Sequence, residues 1–455
     1  MNSKKKIAIF VDHDIVIRHF LKSKVFEALT VNYHVDVILP QKGYKRIKQD
    51  ISDKDCKLNI LRFPVFDKSI SIWGRFMQAK IFKLSLSKKH QYIRTSWKLI
   101  VPRKGVVLFT LLGLPIIFTI FKIYTKILSH LNPNLELEKF IIDKGYNVLI
   151  NPGLINGHYT NDLIIISKKI NVPLIFIMNS WDNPTACYFS AGKPDLFLAW
   201  GTQTVNHAIQ YQNFEAKNVI PFGAAQFEIY KERPKFKKPD FCKAHKINPR
   251  KKVILYAGGS LGTNEFEHLL LLEEAIQNKK IQSISVVYRP HPWGGGGNYG
   301  EKIIDYKWKN IVIEKSMSKY LINLRDKGYH MTYPDYKDTH SILSSVDAVI
   351  SPLSTILIEA AMHGKPIMCF LPIEDVNSIH FQTVHRLPHF IDLQKNENVI
   401  LSKGRKELIN KFPLLLKKID DENIDVKMKK MSQFFVSSFK NSYAERLEEI
   451  LESKI

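Results

Sequence analysis

Short apolar runs of strand length recur along the chain. Each closes on a loop of polar or small residues, and between them apolar residues fall at helical spacing. Lys6–Val11 reads as a buried strand, followed by Asp12-His13-Asp14. Ile17–Leu29 has helical periodicity, and His34–Pro40 reads as a second strand. Strand, helix and strand in this order make a βαβ unit, which implies a parallel sheet. The pattern returns at Asn147–Ile150, Pro173–Met178 and Asp195–Trp200. These runs close on Asn151-Pro152-Gly153, on Asn179-Ser180-Trp181-Asp182-Asn183 and on Gly201. In open α/β sheets, loops at the carboxyl ends of strands are where ligands bind.

The texture changes after the short strand Val219–Gly223. Lys231–Asp240 is charged and contains Pro234 and Pro239, the composition of a linker. A second alternating series follows. Val253–Ala257 runs into Gly258-Gly259-Ser260, and Ile284–Tyr288 into Arg289-Pro290-His291-Pro292. Ala348–Ser351 runs into Pro352-Leu353-Ser354-Thr355, a helix spans Ile356–His363, and Pro366–Leu371 is another strand. The expected fold is α/β: two Rossmann-like, doubly wound parallel-sheet domains facing across a cleft. The first covers 1–228, the second 229–430, and a C-terminal helix at 431–455, seen as an amphipathic run over Met428–Leu451, packs back. At 455 residues the chain is too long for one ordinary core, which agrees with two domains.

One segment stands apart. Gly105–Tyr124 is uncharged except at Lys122, reaches the length of a membrane span, and belongs to an apolar stretch over 105–128. Gly113 and Pro115 interrupt it, and Arg94, Lys98, Arg103 and Lys104 precede it. It admits three readings: a buried or inter-domain helix pair, a helix docked in the membrane interface, or a span. The net charge of +24 bears on this choice. No basic stretch is interleaved with aromatics, so nucleic acid is not the expected partner. A lysine-rich composition bias and an anionic membrane surface both account for the surplus. The four cysteines form no CxxC pair, and no HExxH or Cys/His cluster is present, so no metal site is expected.

Candidate chemistry sits on the strand-end loops. In Ser351-Pro352-Leu353-Ser354-Thr355 a strand ends and a helix begins at two hydroxyls, an arrangement that suits a phosphate. Glu359, one turn on, would accept from a ribose hydroxyl. The competing reading for Ser354 is an ordinary N-cap. In Arg289-Pro290-His291-Pro292 the prolines hold Arg289 and His291 at the mouth of the cleft. There the guanidinium would grip phosphate, and His291 would donate to a phosphate or leaving oxygen. Gly258, Gly259 and Ser260 allow a ligand to approach the backbone closely. The Gly294–Gly297 run lacks the GK[ST] of a phosphate loop. His380, Phe381, Gln382 and Thr383 would line the same cleft. In the first domain Asp12, His13, Asp14 and Asp182 are candidates for a general base, against plain turn chemistry for each.

Taken together these residues resemble the GT-B glycosyltransferases of bacterial surface-polysaccharide synthesis. Ser180-Trp181-Asp182-Asn183 followed by Gly223-Ala224-Ala225-Gln226-Phe227-Glu228 is similar to the SWDN and GAPQFD-type segments of one GT-B-like group. Arg289…Pro292 and Ser351…Glu359 are similar to the HP and Ser/Thr motifs of sialyl- and Kdo-type transferases. The RxHP form is shared with teichoic-acid glycerophosphotransferases. The resemblance covers most of 145–390. It implies an inverting transfer without a bound metal or further cofactor, with a CMP- or UDP-linked sugar donor held by the C-terminal domain. The implied acceptor is a surface polysaccharide or lipid-linked glycan, at the inner face of the membrane. The acidic motif that supplies the base in sialyltransferases has no counterpart here, so the base stays open among Asp12, His13 and Asp182. Three alternatives share the same loops: a polyol-phosphate transferase using a CDP-linked donor, a UDP-sugar 2-epimerase, and a non-catalytic subunit of a polysaccharide assembly complex.

Overall fold

The structure is a computed structural model. It describes residues 4–44, 47, 57–87, 93, 105–153, 157–185, 189–259, 263–293, 300–327, 332–375 and 385–454. The chain forms two units: Met1–Glu228 with Phe435–Ile455, and Ile229–Phe434.

Unit 1 is built on seven strands: β1 (Lys6–Phe10), β2 (His34–Pro40), β3 (Asn59–Phe63), β4 (Val148–Asn151), β5 (Leu174–Ile177), β6 (Leu196–Ala199) and β7 (Val219–Pro221). Their order is β3-β2-β1-β4-β5-β6-β7, with every pairing parallel. Unit 2 is a six-stranded parallel sheet of β8 (Lys252–Ala257), β9 (Ile284–Arg289), β10 (Ile311–Ile313), β11 (Ala348–Ser351), β12 (Ile367–Leu371) and β13 (Ile400–Lys403). Its order is β10-β9-β8-β11-β12-β13. Both are doubly wound α/β units. Their central strands are continuous apolar runs because both faces are covered: Ile7 to Phe10 and Val253 to Tyr256 are fully buried.

Three elements depart from the expected ones. Ile17–Leu29 is not one helix. A single α turn at Asp14–Val16 runs into a π turn at Ile17–Leu21, and a 3-10 turn follows at Ala28–Val31. Lys24 between them has φ +60°, in the left-handed region, which ends any right-handed helix. The C-terminal helix is really two. Ile424–Phe435 ends at the boundary of unit 2, and Tyr443–Lys454 belongs to unit 1. The second helix starts on a capping box: Ser442 Oγ accepts from the Glu445 N–H (3.2 Å), and Glu445 takes the Ser442 N–H (2.6 Å). Tyr443, Leu447 and Leu451 complete the unit 1 core, with the Tyr443 ring edge-on to Phe222 at 4.8 Å.

The third is the apolar segment, which departs from one of the three readings open to it. Helix α1 (Asp67–Ser85) supports α2 (Val106–Gly113) and α3 (Pro115–Leu131), which meet at a bend of 96°. Trp73, Phe76, Ala79 and Phe118 form a small core among them. A Cβ on Gly113 would lie 2.4 Å from Phe82 Cδ1, so only glycine lets the corner seat on α1. The segment is not a buried pair, because most of its large apolar side chains face outward. No single described helix is long and apolar enough to cross a membrane.

Candidate functional site

In unit 2 the strand order reverses between β8 and β11. In such sheets the carboxyl ends of the strands on either side of the reversal are the usual ligand position. The loops leaving these two strands touch. A Cβ on Gly259 would stand 3.1 Å from Pro352 Cβ, so Gly258-Gly259 and the Ser351–Thr355 loop, both singled out in the sequence, are brought together.

A residue the sequence reading missed organises this point. Glu265 is fully buried at the start of α4 (Glu265–Gln277). Its carboxylate accepts from the Gly259 N–H (2.6 Å), from Thr263 Oγ1 (3.1 Å) and from the Tyr288 hydroxyl. A Cβ on Gly258 would fall 2.5 Å from Glu265 Oε2. The glycine is therefore required by this carboxylate, whatever else approaches. Burial pushes the Glu265 carboxyl up to about 7, against the pull of the bonds from Tyr288, Gly259 and Thr263. An acidic residue in a first helical turn reads as ordinary dipole chemistry, so nothing in the sequence marked it. Next to it, His268 Nδ1 pairs with the Tyr256 hydroxyl (2.8 Å), and Nε2 lies 3.0 Å from Asp375 Oδ2. Asp375 follows β12 and also takes the Asn264 N–H (2.5 Å) and Arg405 Nη2 (3.1 Å). Burial alone would raise its carboxyl; the contacts with His268, Asn264 and Arg405 outweigh that and hold it below the usual range.

The other predicted residues are placed as follows. Arg289 is not at an open mouth. It is 7% exposed, with Nη2 donating to Thr339 Oγ1 (3.1 Å) and Nε 4.0 Å from Glu314. As the last residue of β9 its side chain turns inward, and its carbonyl accepts the Gly258 N–H (2.8 Å). His291 does lie on the loop, half-buried, and its Nδ1 accepts the Trp293 N–H (3.0 Å). That bond places the proton of the neutral ring on Nε2. Thr355 stands at the N-cap of α5 (Ile356–Met362) but makes no side-chain cap bond, and Ser354 is half-buried beside it. Ser351 is fully buried, and its hydroxyl has no hydrogen-bond partner among the described residues. Glu359 is buried in α5 and accepts from the Tyr230 hydroxyl. Tyr230 stacks on His340 (5.3 Å), which pairs with His363 (2.8 Å). Ser260, His380, Phe381, Gln382 and Thr383 lie outside the described residues.

In unit 1 the order reverses between β1 and β4. Asp12, just past β1, is buried and accepts the His158 N–H (2.5 Å). A Cβ on Gly153, just past β4, would lie 3.5 Å from Asp12 Oδ1. His13 Nδ1 caps the Ile15 N–H (3.1 Å), which is the turn chemistry weighed for it. Asp182 sits in a turn where its carbonyl accepts the Thr185 N–H (2.8 Å) and Asn183 Oδ1 takes the N–H of Asn179 (3.2 Å). Burial pushes the Asp182 carboxyl up, opposed by a bond from Ser180. His19, also missed, is buried against the Asn179 backbone, and burial lowers its imidazole to about 3, with the Arg18 charge adding to the effect. The structure thus gathers the ends of β1, β4 and β5 at the unit 1 switch point.

No protein-family model matches the chain. No curated protein matches it in sequence. Solved structures do match over the full length. One is a UDP-GlcNAc 2-epimerase from Neisseria meningitidis bound to UDP-GlcNAc, at 14% identity and a TM-score of 0.53, covering 98% of this chain and 100% of that one. Another is a glycosyltransferase from Rickettsia africae, at 12% identity and a TM-score of 0.50, covering 99% of each chain. The chain has a GT-B-like fold. At such identities the likeness is one of fold alone, and the two descriptions name different reactions.

Proposed function

We propose that the protein is an enzyme acting on a nucleotide-linked sugar, and specifically an inverting, metal-independent glycosyltransferase that builds a surface polysaccharide or lipid-linked glycan. The observation that carries this reading is the unit 2 switch point. Gly259 there lies against a Ser-Pro-Leu-Ser-Thr loop whose Thr355 hydroxyl makes no cap bond, with His291 on the neighbouring loop. The Ser354 and Thr355 hydroxyls, at the carboxyl end of a parallel sheet, suit a nucleotide phosphate.

In this reading Ser354 and Thr355 bind the donor phosphate. The Nε2–H of His291 donates to the leaving phosphate oxygen as the bond to the sugar breaks, and stabilising that developing charge is the largest single contribution. Glu359, oriented by Tyr230, accepts from the ribose. Arg289 ties β9 to its surroundings and positions the His291 loop without itself gripping the phosphate. The base for the acceptor hydroxyl comes from Asp12, His13 or Asp182, and Asp12 is the candidate standing at the switch point of unit 1.

The test is a thermal-shift panel of CMP, CDP, UDP, GDP and their sugars, with CDP-glycerol included. One nucleotide class is expected to raise the melting temperature, and His291→Ala to abolish the rise. No stabilisation by any of them, or stabilisation unchanged in His291→Ala, would sink the assignment. A second reading, 2-epimerisation, is kept because the fold also serves the epimerase solved with UDP-GlcNAc. The two separate on products: a transferase releases nucleotide only when an acceptor is added, and an epimerase inverts the sugar at C2 with none.

A further inference from the structure

Helix α3 is amphipathic in the sense opposite to that of an ordinary surface helix. At about 100° per residue, Ile116, Ile120, Ile123, Ile127 and Leu131 share one stripe, and they are 52–79% exposed. The side turned to the protein holds Phe118, Thr125 and Ser129, all buried. The two hydroxyls are satisfied within the helix, donating to Phe121 O and Lys126 O at 2.8 Å each. The outward face continues onto α2 through Val107, Leu108 and Leu111. Of the twenty-one exposed large apolar side chains among the described residues, eleven lie between Val107 and Leu131. Such a concentration marks a surface that is covered in use.

The stretch of sequence that carries it is one-sided in charge. From Lys68 to Leu135 the chain has twelve Lys or Arg and no Asp or Glu, a net +12 and half of the chain's +24. The surplus is therefore concentrated here and not spread evenly. Lys122 and Lys126 are exposed, on the side of α3 between the isoleucine stripe and the face turned to the protein. A second copy of the chain would set this positive segment against its like. A nucleic acid would leave the aliphatic stripe wet. We propose that α2 and α3 dock on an anionic lipid surface, with the isoleucine stripe about 5–10 Å into the boundary between headgroups and acyl chains and the lysines among the headgroups. α3 spans about 25 Å at 1.5 Å per residue, less than the roughly 30 Å of a hydrocarbon core. With the 96° corner before it, the pair lies in the interface and does not cross. The seat of Gly113 on Phe82 keeps the stripe turned outward. This inference is independent of the nucleotide reading.

The test is co-sedimentation of the full chain with vesicles of phosphatidylcholine alone or mixed with phosphatidylglycerol, in low and high salt. Binding to the anionic vesicles is expected, more than tenfold weaker on phosphatidylcholine and weakened by salt. Ile120→Glu with Ile127→Glu should abolish it, and Lys122→Glu with Lys126→Glu should reduce it. Both pairs should keep the far-ultraviolet circular dichroism and melting temperature of the parent. Three results overturn the proposal: a parent that stays in the supernatant with anionic vesicles, undiminished binding by both variants, or a parent dimer that the isoleucine pair splits, which would make a second copy the occupant.

Discussion

Gly258 is a glycine for a reason visible only in three dimensions. A methyl group there meets the Glu265 carboxylate at 2.5 Å, so Gly258→Ala is expected to destabilise unit 2 by about 1–3 kcal/mol, read by chemical denaturation. Glu265 itself makes stability depend on pH. Its folded value of about 7 stands above the usual 4.5. Between those values the unfolded chain loses a proton that the fold retains, so stability falls as pH rises from about 4.5 to 7 and then levels. Glu265→Gln should remove that slope in a series of melting curves. His19 acts in the opposite sense. Its imidazole stays neutral in the fold down to about 3, so its contribution disappears as pH falls from 6.5 toward 3, and His19→Gln should flatten the acid limb. At this scale the sequence was only partly legible. The Ser351–Thr355 and Gly258-Gly259 loops announced themselves by following strands. Glu265, His19 and the inward turn of Arg289 did not, because burial of a charged side chain is decided by neighbours far along the chain.

Secondary elements were most legible where they were most buried. The central strands stood out because both faces are apolar, whereas β3, β10 and β13 passed unnoticed. All three are edge strands, and none is buried along its whole length, so none carries a continuous apolar run. The C-terminal break was readable in principle. Ser442-Tyr443-Ala444-Glu445 is a capping box, hidden inside a run that looked continuously amphipathic. Ser442→Ala should cost about 1 kcal/mol, seen as a lower melting temperature. The corner at Gly113 is less forgiving. Gly113→Val places side-chain atoms where Phe82 stands, and release of α2 from α1 should appear as new protease cleavage between 105 and 115.

On the scale of the molecule, the α/β class and the doubly wound order were legible from alternating strands and helices. The assignment of the last segment to unit 1 was not, since an amphipathic helix fits many surfaces. Its importance is large. Tyr443, Leu447 and Leu451 are almost wholly buried, and each large-to-small change at such a site costs about 2–5 kcal/mol. A chain ending at Phe435 should therefore lose the cooperative unfolding of unit 1 in calorimetry.

The same helix sets the order of events at the ribosome. The first sheet to be synthesised stays unfinished while all of unit 2 emerges, from Ile229 to Phe434. At about 5–20 residues per second that interval is roughly 10–40 s. For that time the pocket that Tyr443 later fills stands open, so unit 2, translated second, is the first able to complete its fold. The nascent N-terminal half is then the form of this protein with most need of a chaperone.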